Sequence, residues 1–234
     1  MRRSIIRAGA VRKQRYQRYA IKQWADRLPD VPAFLIGNGP SINKQDLSLL
    51  EDYFTIGINR AFYALDTTLL MWQDISLWNS EYHKLQNIQA LKVARDIADP
   101  RRIYYNFHLK TGPYSFSRKT HVLYGRGSSG PIAAQLAHSM GGLPLILVGM
   151  DCQLDADGKT DFYGNNDFWL PHTLDACNRG LEFIREECPV EIINCSNNDF
   201  WEKVPIAEAL ERVDPTGAHK RGRQSYVKQI LRLG

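Results

Sequence analysis

A chain of 234 residues is long enough for one sizeable α/β domain with a full core. No window approaches the roughly 18 uninterrupted apolar residues of a membrane span, and the arginine-rich start lacks a signal core, so a cytoplasmic protein is expected. The net charge of +5 hides a segregation: residues 1–27 hold nine Lys or Arg against one acid, residues 215–234 hold five against none, and the middle is net −8.

In chain order, residues 4–27 predict a helix in which Ile5, Ile6, Val11, Tyr16, Tyr19, Ala20 and Trp24 scatter among arginines. Such a helix either tracks a polyanion, with tyrosines stacking on bases, or packs its aromatic side on the domain. Residues 28–32 read as a stop and turn. Residues 33–41 follow as an apolar run, a glycine-bounded turn at Gly37, Asn38 and Gly39, and a helix start at Pro40 and Ser41. Glycines there permit backbone angles and close approaches that a Cβ would block. Free N–H groups at such a turn make an anion site, although a plain structural corner has the same pattern. The loop is neither a dinucleotide fingerprint nor a Gly-Lys-Ser/Thr phosphate loop.

After a short helix near Asp46 to Leu50, residues 54–59 predict a second strand ending at Asn59, and residues 68–73 a third ending before Asp74. Successive apolar runs ending in polar residues suit a parallel sheet, whose ligand crevice lies beyond the carboxyl ends of its strands. Asn38 and Asn59 would both face that crevice, or serve as turn residues. Residues 76–100 read as helix, and residues 103–106 and 121–124 as edge strands around an exposed loop. Residues 125–130 form a second glycine-rich turn, in which Arg126, Ser128, Ser129 and Gly130 precede a helix from Pro131 to about Met140. This is either a second anion site or a structural cap.

Residues 145–151 predict an interior strand ending in Asp151, which either faces a ligand or caps a helix. Residues 155–161 pair a metal-like Asp-X-Asp with an equally good hairpin turn. Residues 162–171, rich in aromatics and including Tyr163, suit a lid. His172 opens a helix running to about Glu187, residues 190–195 give a last strand, and residues 205–213 a short helix. Cys152, Cys177, Cys188 and Cys195 lack metal-site spacing and read as free thiols.

The order of these pieces resembles the bacterial sialyltransferases of glycosyltransferase family 42. The resemblance rests on the 37–41 loop, the strand ending in Asn59 with Phe62 and Tyr63 after it, the turn at Ser128, Ser129 and Gly130, and Gly149, Met150 and Asp151. It also takes in His172, eight residues before Gly180. It spans roughly residues 33–210. It implies an α/β fold: a Rossmann-like, mostly parallel sheet with helices on both faces and a small lid, binding a nucleotide sugar of the CMP-sugar type without a required metal.

Carried over, His172 would be the general base, and Gly37, Asn38, Gly39, Ser41, Asn59, Ser128, Ser129, Gly130, Asp151 and Tyr163 would hold the donor. Where the family steadies the leaving phosphate with tyrosines after the Gly-X-Asp strand, this chain has Gln153, and Tyr163 fits only with residues 155–161 looped out.

The same loop and strand also resemble a related group, with phage and bacterial members, that includes an archaeal pterin pyrophosphokinase. On that alternative Asp74 and Asp151 would hold Mg²⁺ against a triphosphate. A third reading keeps the fold as a non-catalytic nucleic-acid-binding core. The chain thus divides into a basic N-terminal helix (residues 1–30), a catalytic domain (31–213) and a basic C-terminal tail (214–234). The basic ends would bring it to a polyanionic acceptor such as DNA or an acidic glycolipid, and an oligomer is compatible with the sequence.

Overall fold

The computed structural model describes residues 21–113, 115–125, 127–165 and 171–232. Eight strands form a single all-parallel sheet: β1 (Val31–Ile36), β2 (Thr55–Ile58), β3 (Leu69–Trp72), β4 (Leu91–Arg95), β5 (Tyr105–Lys110), β6 (Val122–Tyr124), β7 (Gly142–Val148) and β8 (Ile192–Asn194). Their order is β6-β5-β4-β3-β2-β1-β7-β8. The chain steps outward from β1 to β6, then returns to the other side of β1 for β7 and β8. The reversal lies between β1 and β7, where the connections diverge above and below the sheet and leave a crevice.

Five helices lying wholly within the described residues cover the sheet: α1 (Ile75–Asn87), α2 (Gly130–Ser139), α3 (Pro171–Glu187), α4 (Ile206–Val213) and α5 (Arg223–Leu231). The two-residue alternation of each strand sends its side chains to opposite faces. Ala33 and Leu35 of β1 with Leu145 and Leu147 of β7 pack with Ile132 and Leu136 of α2, Leu181 and Ile184 of α3, and Tyr226 and Ile230 of α5. Phe34, Ile36, Ile146 and Val148 point the other way, onto Ile206 and Ala209 of α4. Over the far side of the sheet, Leu70 and Trp72 pack with Leu77, Trp78 and Leu85 of α1. Burying each such side chain contributes roughly 1.5–3 kcal/mol.

Several sequence expectations are corrected here. Residues 91–95 are a strand, not part of a helix over 76–100, since α1 stops at Asn87. β5 starts at Tyr105, runs to Lys110 and pairs on both sides, so it is not an edge strand. Leu47–Leu50 is a 3-10 turn, capped by the Asp46 side chain on the Ser48 N–H. β1 begins at Val31 rather than Ala33. Pro32, which has no N–H, falls where the register with β7 shifts.

The basic C-terminal stretch is not a free tail. Its α5 helix buries Tyr226 and Ile230 completely, and the Gln229 amide donates to the Arg27 carbonyl at 2.7 Å. Of the predicted N-terminal helix, Ile21 and Trp24 lie in the same core, whereas Tyr16 and Tyr19 lie outside the described residues.

Candidate active site

The carboxyl ends of β1 and β7 are held in contact by residues with no room for a side chain. A Cβ on Gly37 would stand 2.3 Å from the Gly149 carbonyl oxygen, and one on Gly39 2.4 Å from Oδ2 of Asp151. Gly39 has an ordinary φ of −61°, so proximity rather than backbone angle demands glycine there. Gly149 does need its freedom: φ is +64°, and Ile42 fills the space a Cβ would take.

Asp151 locks this junction. Its carboxylate accepts the Ser41 N–H at 2.8 Å, the Ser41 hydroxyl at 2.6 Å and the Asn197 N–H at 2.9 Å. Asp151 thus caps the first turn after β1, and it also lines the adjoining pocket. Ser41 is correspondingly buried and committed to Asp151.

A pocket of about 210 Å³ opens beside this junction. Gly37, Asn38 and Gly39 line it, as do Asn59, Asp74, Gly127, Ser128, Ser129, Gly130, Asp151 and Tyr163. All the expected donor residues except Ser41 therefore meet in one cavity. The Asn38 amide donates to the Ile58 carbonyl at 3.0 Å, while its Oδ1 is buried with no donor among the described residues. An acceptor left so costs about 1–3 kcal/mol, a penalty that a ligand N–H or O–H removes. Asn59 adopts a left-handed φ of 53°, which asparagine tolerates, and turns the chain at the end of β2.

The second glycine turn supplies the opposite wall. Ser129 directly precedes α2, yet its side chain makes no cap hydrogen bond; instead Oγ accepts from Nε2 of Gln73 at 2.9 Å. Its hydroxyl hydrogen is left to donate. The first amides of α2 therefore carry no side-chain cap from Ser129, which leaves them suited to an anion. Arg126 lies outside the described residues.

The pocket also contains a cation that the sequence reading missed. Arg60 donates from Nε to Glu81 at 2.9 Å and from Nη2 to Ser80 at 3.0 Å, and its guanidinium stands 5.7 Å from the centre of the Tyr163 ring. Burial pushes the Glu81 carboxyl up, but hydrogen bonds from Tyr63, Arg60 and Lys84 outweigh it and hold its pKa below the ordinary value. Glu81 is therefore ionised and orients Arg60. No sequence motif marks Arg60; only the fold brings α1, which carries Glu81, against the turn after β2. Burial and the neighbouring Asp161 push the Tyr163 hydroxyl up to about 12, with Arg60 opposing, so Tyr163 stays a neutral donor.

The lid begins docked. Phe162 N–H donates to the Asn38 carbonyl and its own carbonyl accepts from Asn43, both at 2.8 Å; Phe168 and Trp169 lie outside the described residues. His172 sits exposed in the first turn of α3, outside the pocket lining, although the adjacent Thr173 lines it. Gln153 points away, its amide donating to the Asn197 carbonyl. The 155–161 segment is a hairpin turn, with Asp155 Oδ1 accepting from the N–H groups of Asp157 at 2.9 Å and Lys159 at 2.8 Å.

For the Mg²⁺ alternative, Asp74 lies at the pocket rim, where burial raises its pKa against the opposing charge of Arg95. Asp66 lies beyond the other end of β3, ion-paired with Arg223 at 3.4 Å. Among the described residues no group of three His, Cys, Asp or Glu side chains could hold a metal ion, and no helix is long and apolar enough to cross a membrane.

No protein-family description matches the chain, and no curated protein matches it. Its fold is that of a solved glycosyltransferase. The MAf glycosyltransferase of Magnetospirillum magneticum AMB-1 superposes with a TM-score of 0.54 at 15% identity, covering 92% of this chain. The chain spans 41% of the length of that protein. The sialyltransferase CstII of Campylobacter jejuni, in complex with the substrate analogue CMP-3FNeuAc, gives a TM-score of 0.47 at 15% identity over 75% of this chain and 87% of that one.

Proposed function

We propose that the chain is a glycosyltransferase that moves a sugar from a nucleotide-activated donor, of the CMP-sugar type, to an acceptor hydroxyl. The observation that carries this reading is the meeting, at one topological switch point, of two glycine turns, the second opening the uncapped start of α2, with the orphan acceptor of Asn38 and the oriented guanidinium of Arg60. Amide donors and one fixed cation suit a phosphate, and asparagine suits a ribose or base edge.

In the reaction, His172 takes the proton of the acceptor hydroxyl. The acceptor oxygen bonds to the anomeric carbon as the bond from that carbon to the donor phosphate breaks. Charge gathering on the departing phosphate is met by the first N–H groups of α2, by Ser129 and by Arg60, the N–H groups of Gly37, Gly39 and Ser41 being already given to Val148, Gly149 and Asp151. The Mg²⁺ alternative fits less well, because the two oxygens of Asp151 already accept three hydrogen bonds.

The test is release of nucleotide from CMP-, UDP- and GDP-sugars in the presence of candidate acceptors, including a glycolipid and DNA, with wild type and His172→Ala. Loss of transfer with donor affinity nearly intact supports His172 as the base. Transfer retained by the variant overturns that role, and dependence of wild-type activity on Mg²⁺ favours the pyrophosphokinase alternative.

A further inference from the structure

A second, open groove adjoins the donor pocket at the start of the lid. It runs between the turn after β1 (Ile42, Asn43 and Gln45), the turn after β2 (Tyr63 and Ala64) and Phe162. The two share a wall. Phe162 lines the groove and gives its N–H to the Asn38 carbonyl at 2.8 Å, and the next residue, Tyr163, lines the donor pocket.

Each amide of the groove offers oxygen. Asn43 donates from Nδ2 to the Phe162 carbonyl and Gln45 from Nε2 to the Cys195 carbonyl, both at 2.8 Å. A carbonyl only accepts, so the nitrogens must face these partners, and the amide oxygens are what remain for a ligand. Gln45 Oε1 has no donor among the described residues, a lack that a ligand hydroxyl would make good.

Beside these oxygens stands an aromatic face. Tyr63 is 43% exposed, yet its ring is held in place. Its hydroxyl donates to Oε2 of Glu81 at 2.8 Å, and its ring centre lies 4.4 Å from that of Phe62 and 6.3 Å from that of Tyr163. Phe162 stands edge-on to Tyr163 at 5.0 Å. Among the described residues no charged side chain lines the groove. Glu81 and Lys84, which meet at the Tyr63 hydroxyl, are paired with each other at 3.3 Å.

We propose that this groove is the acceptor subsite and that it takes the ring of an uncharged sugar. A pyranose has C–H faces that stack on an exposed aromatic ring, and a rim of O–H donors that match amide oxygens. A phosphodiester or a carboxylate would set its own oxygens against those of Asn43 and Gln45, with no cation in the groove to meet its charge. Because the wall is shared, a sugar in the groove lies next to the bound donor. The role as acceptor rests on the transferase reading; the binding of a neutral sugar does not.

The experiment records saturation-transfer NMR on the full chain with the methyl glycosides of glucose, galactose, mannose, N-acetylglucosamine and N-acetylgalactosamine. Methyl glucuronide, methyl sialoside and oligothymidylate serve as charged comparisons. Transfer is expected to at least one neutral glycoside and to be weaker for the charged ligands. Ala64→Arg fills the groove and should abolish it. Tyr63→Ala should weaken the affinity for that glycoside about 2- to 10-fold, whereas Tyr63→Phe, which keeps the ring, should retain it. No transfer to any neutral glycoside, stronger transfer to the charged ligands, or transfer that survives both Ala64→Arg and Tyr63→Ala would overturn the proposal. Thermal stabilisation by CMP or UDP, measured on wild type and on Ala64→Arg, separates this failure from that of the transferase reading. Equal stabilisation of both chains without sugar binding overturns the groove and leaves the transferase, and sugar binding without any nucleotide response overturns the acceptor role.

Discussion

Ser41 gives both its backbone N–H and its hydroxyl to one carboxylate, that of Asp151, at 2.8 and 2.6 Å. The two residues are 110 positions apart in sequence, and their contact fastens the loop after β1 to the loop after β7 at the mouth of the crevice. With the Asn197 N–H added, Asp151 holds three loops together. Asp151→Ala strands three buried or half-buried donors and is expected to destabilise the fold by about 2–4 kcal/mol, read by chemical denaturation. A loss below about 0.5 kcal/mol would mean the clamp is idle.

Gly39→Ala tests the same junction from the other side. The backbone at position 39 accepts alanine, so the cost comes only from the new methyl meeting Asp151 Oδ2 at 2.4 Å. About 1–3 kcal/mol is expected. Because Oδ2, Cγ and Cβ of Asp151 all stand within 2.8 Å of the new methyl, the cost should shrink markedly in an Asp151→Gly background, which removes all three. Additive costs would show that the clash is not the cause.

Arg60→Ala removes the oriented cation. A charged hydrogen bond to a phosphate is worth about 1.5–3 kcal/mol, so nucleotide affinity should fall about 10- to 100-fold, measured by calorimetry. Arg60→Lys keeps the charge but cannot hold both Glu81 and Ser80 in the same fork, and should restore only part of that affinity. Affinity unchanged in both variants would remove Arg60 from the donor site.

His138, buried in α2, gives a pH prediction. Burial lowers its pKa below 6.5, the charge of Arg118 lowers it further, and Asp26 opposes. The imidazole is therefore neutral in the fold where the unfolded chain would take up a proton. Stability is full above about pH 6.5, begins to fall below that value, and has lost this contribution below the lower folded-state value. His138→Gln should flatten the profile in that window; an unchanged slope would assign the loss to other groups.

Much of this architecture was legible from local pattern. The runs that became β1, β2, β3 and β7 are apolar throughout because parallel strands are covered on both faces, and each ends in the polar or glycine residues that line the pocket. β4 was not legible, since Leu91 to Arg95 interleaves Lys92 and Arg95 with its apolar residues and only Val93 and Ala94 are buried. Arg60 escaped for a different reason. It depends on a partner far along the chain, Glu81, and proximity of that kind has no period or motif. His172 was legible as a helix-opening histidine, and it stands one residue from the pocket lining rather than in it.

The most direct test of the account is the thermal unfolding midpoint of the wild-type chain with CMP, UDP, GDP and ATP, each with and without Mg²⁺. A ligand bound only by the folded state raises that midpoint with its concentration. The account predicts stabilisation by CMP or UDP without added metal, lost in Asn38→Ala and reduced in Arg60→Ala. Stabilisation by ATP only with Mg²⁺, or by none of the four nucleotides, would contradict it.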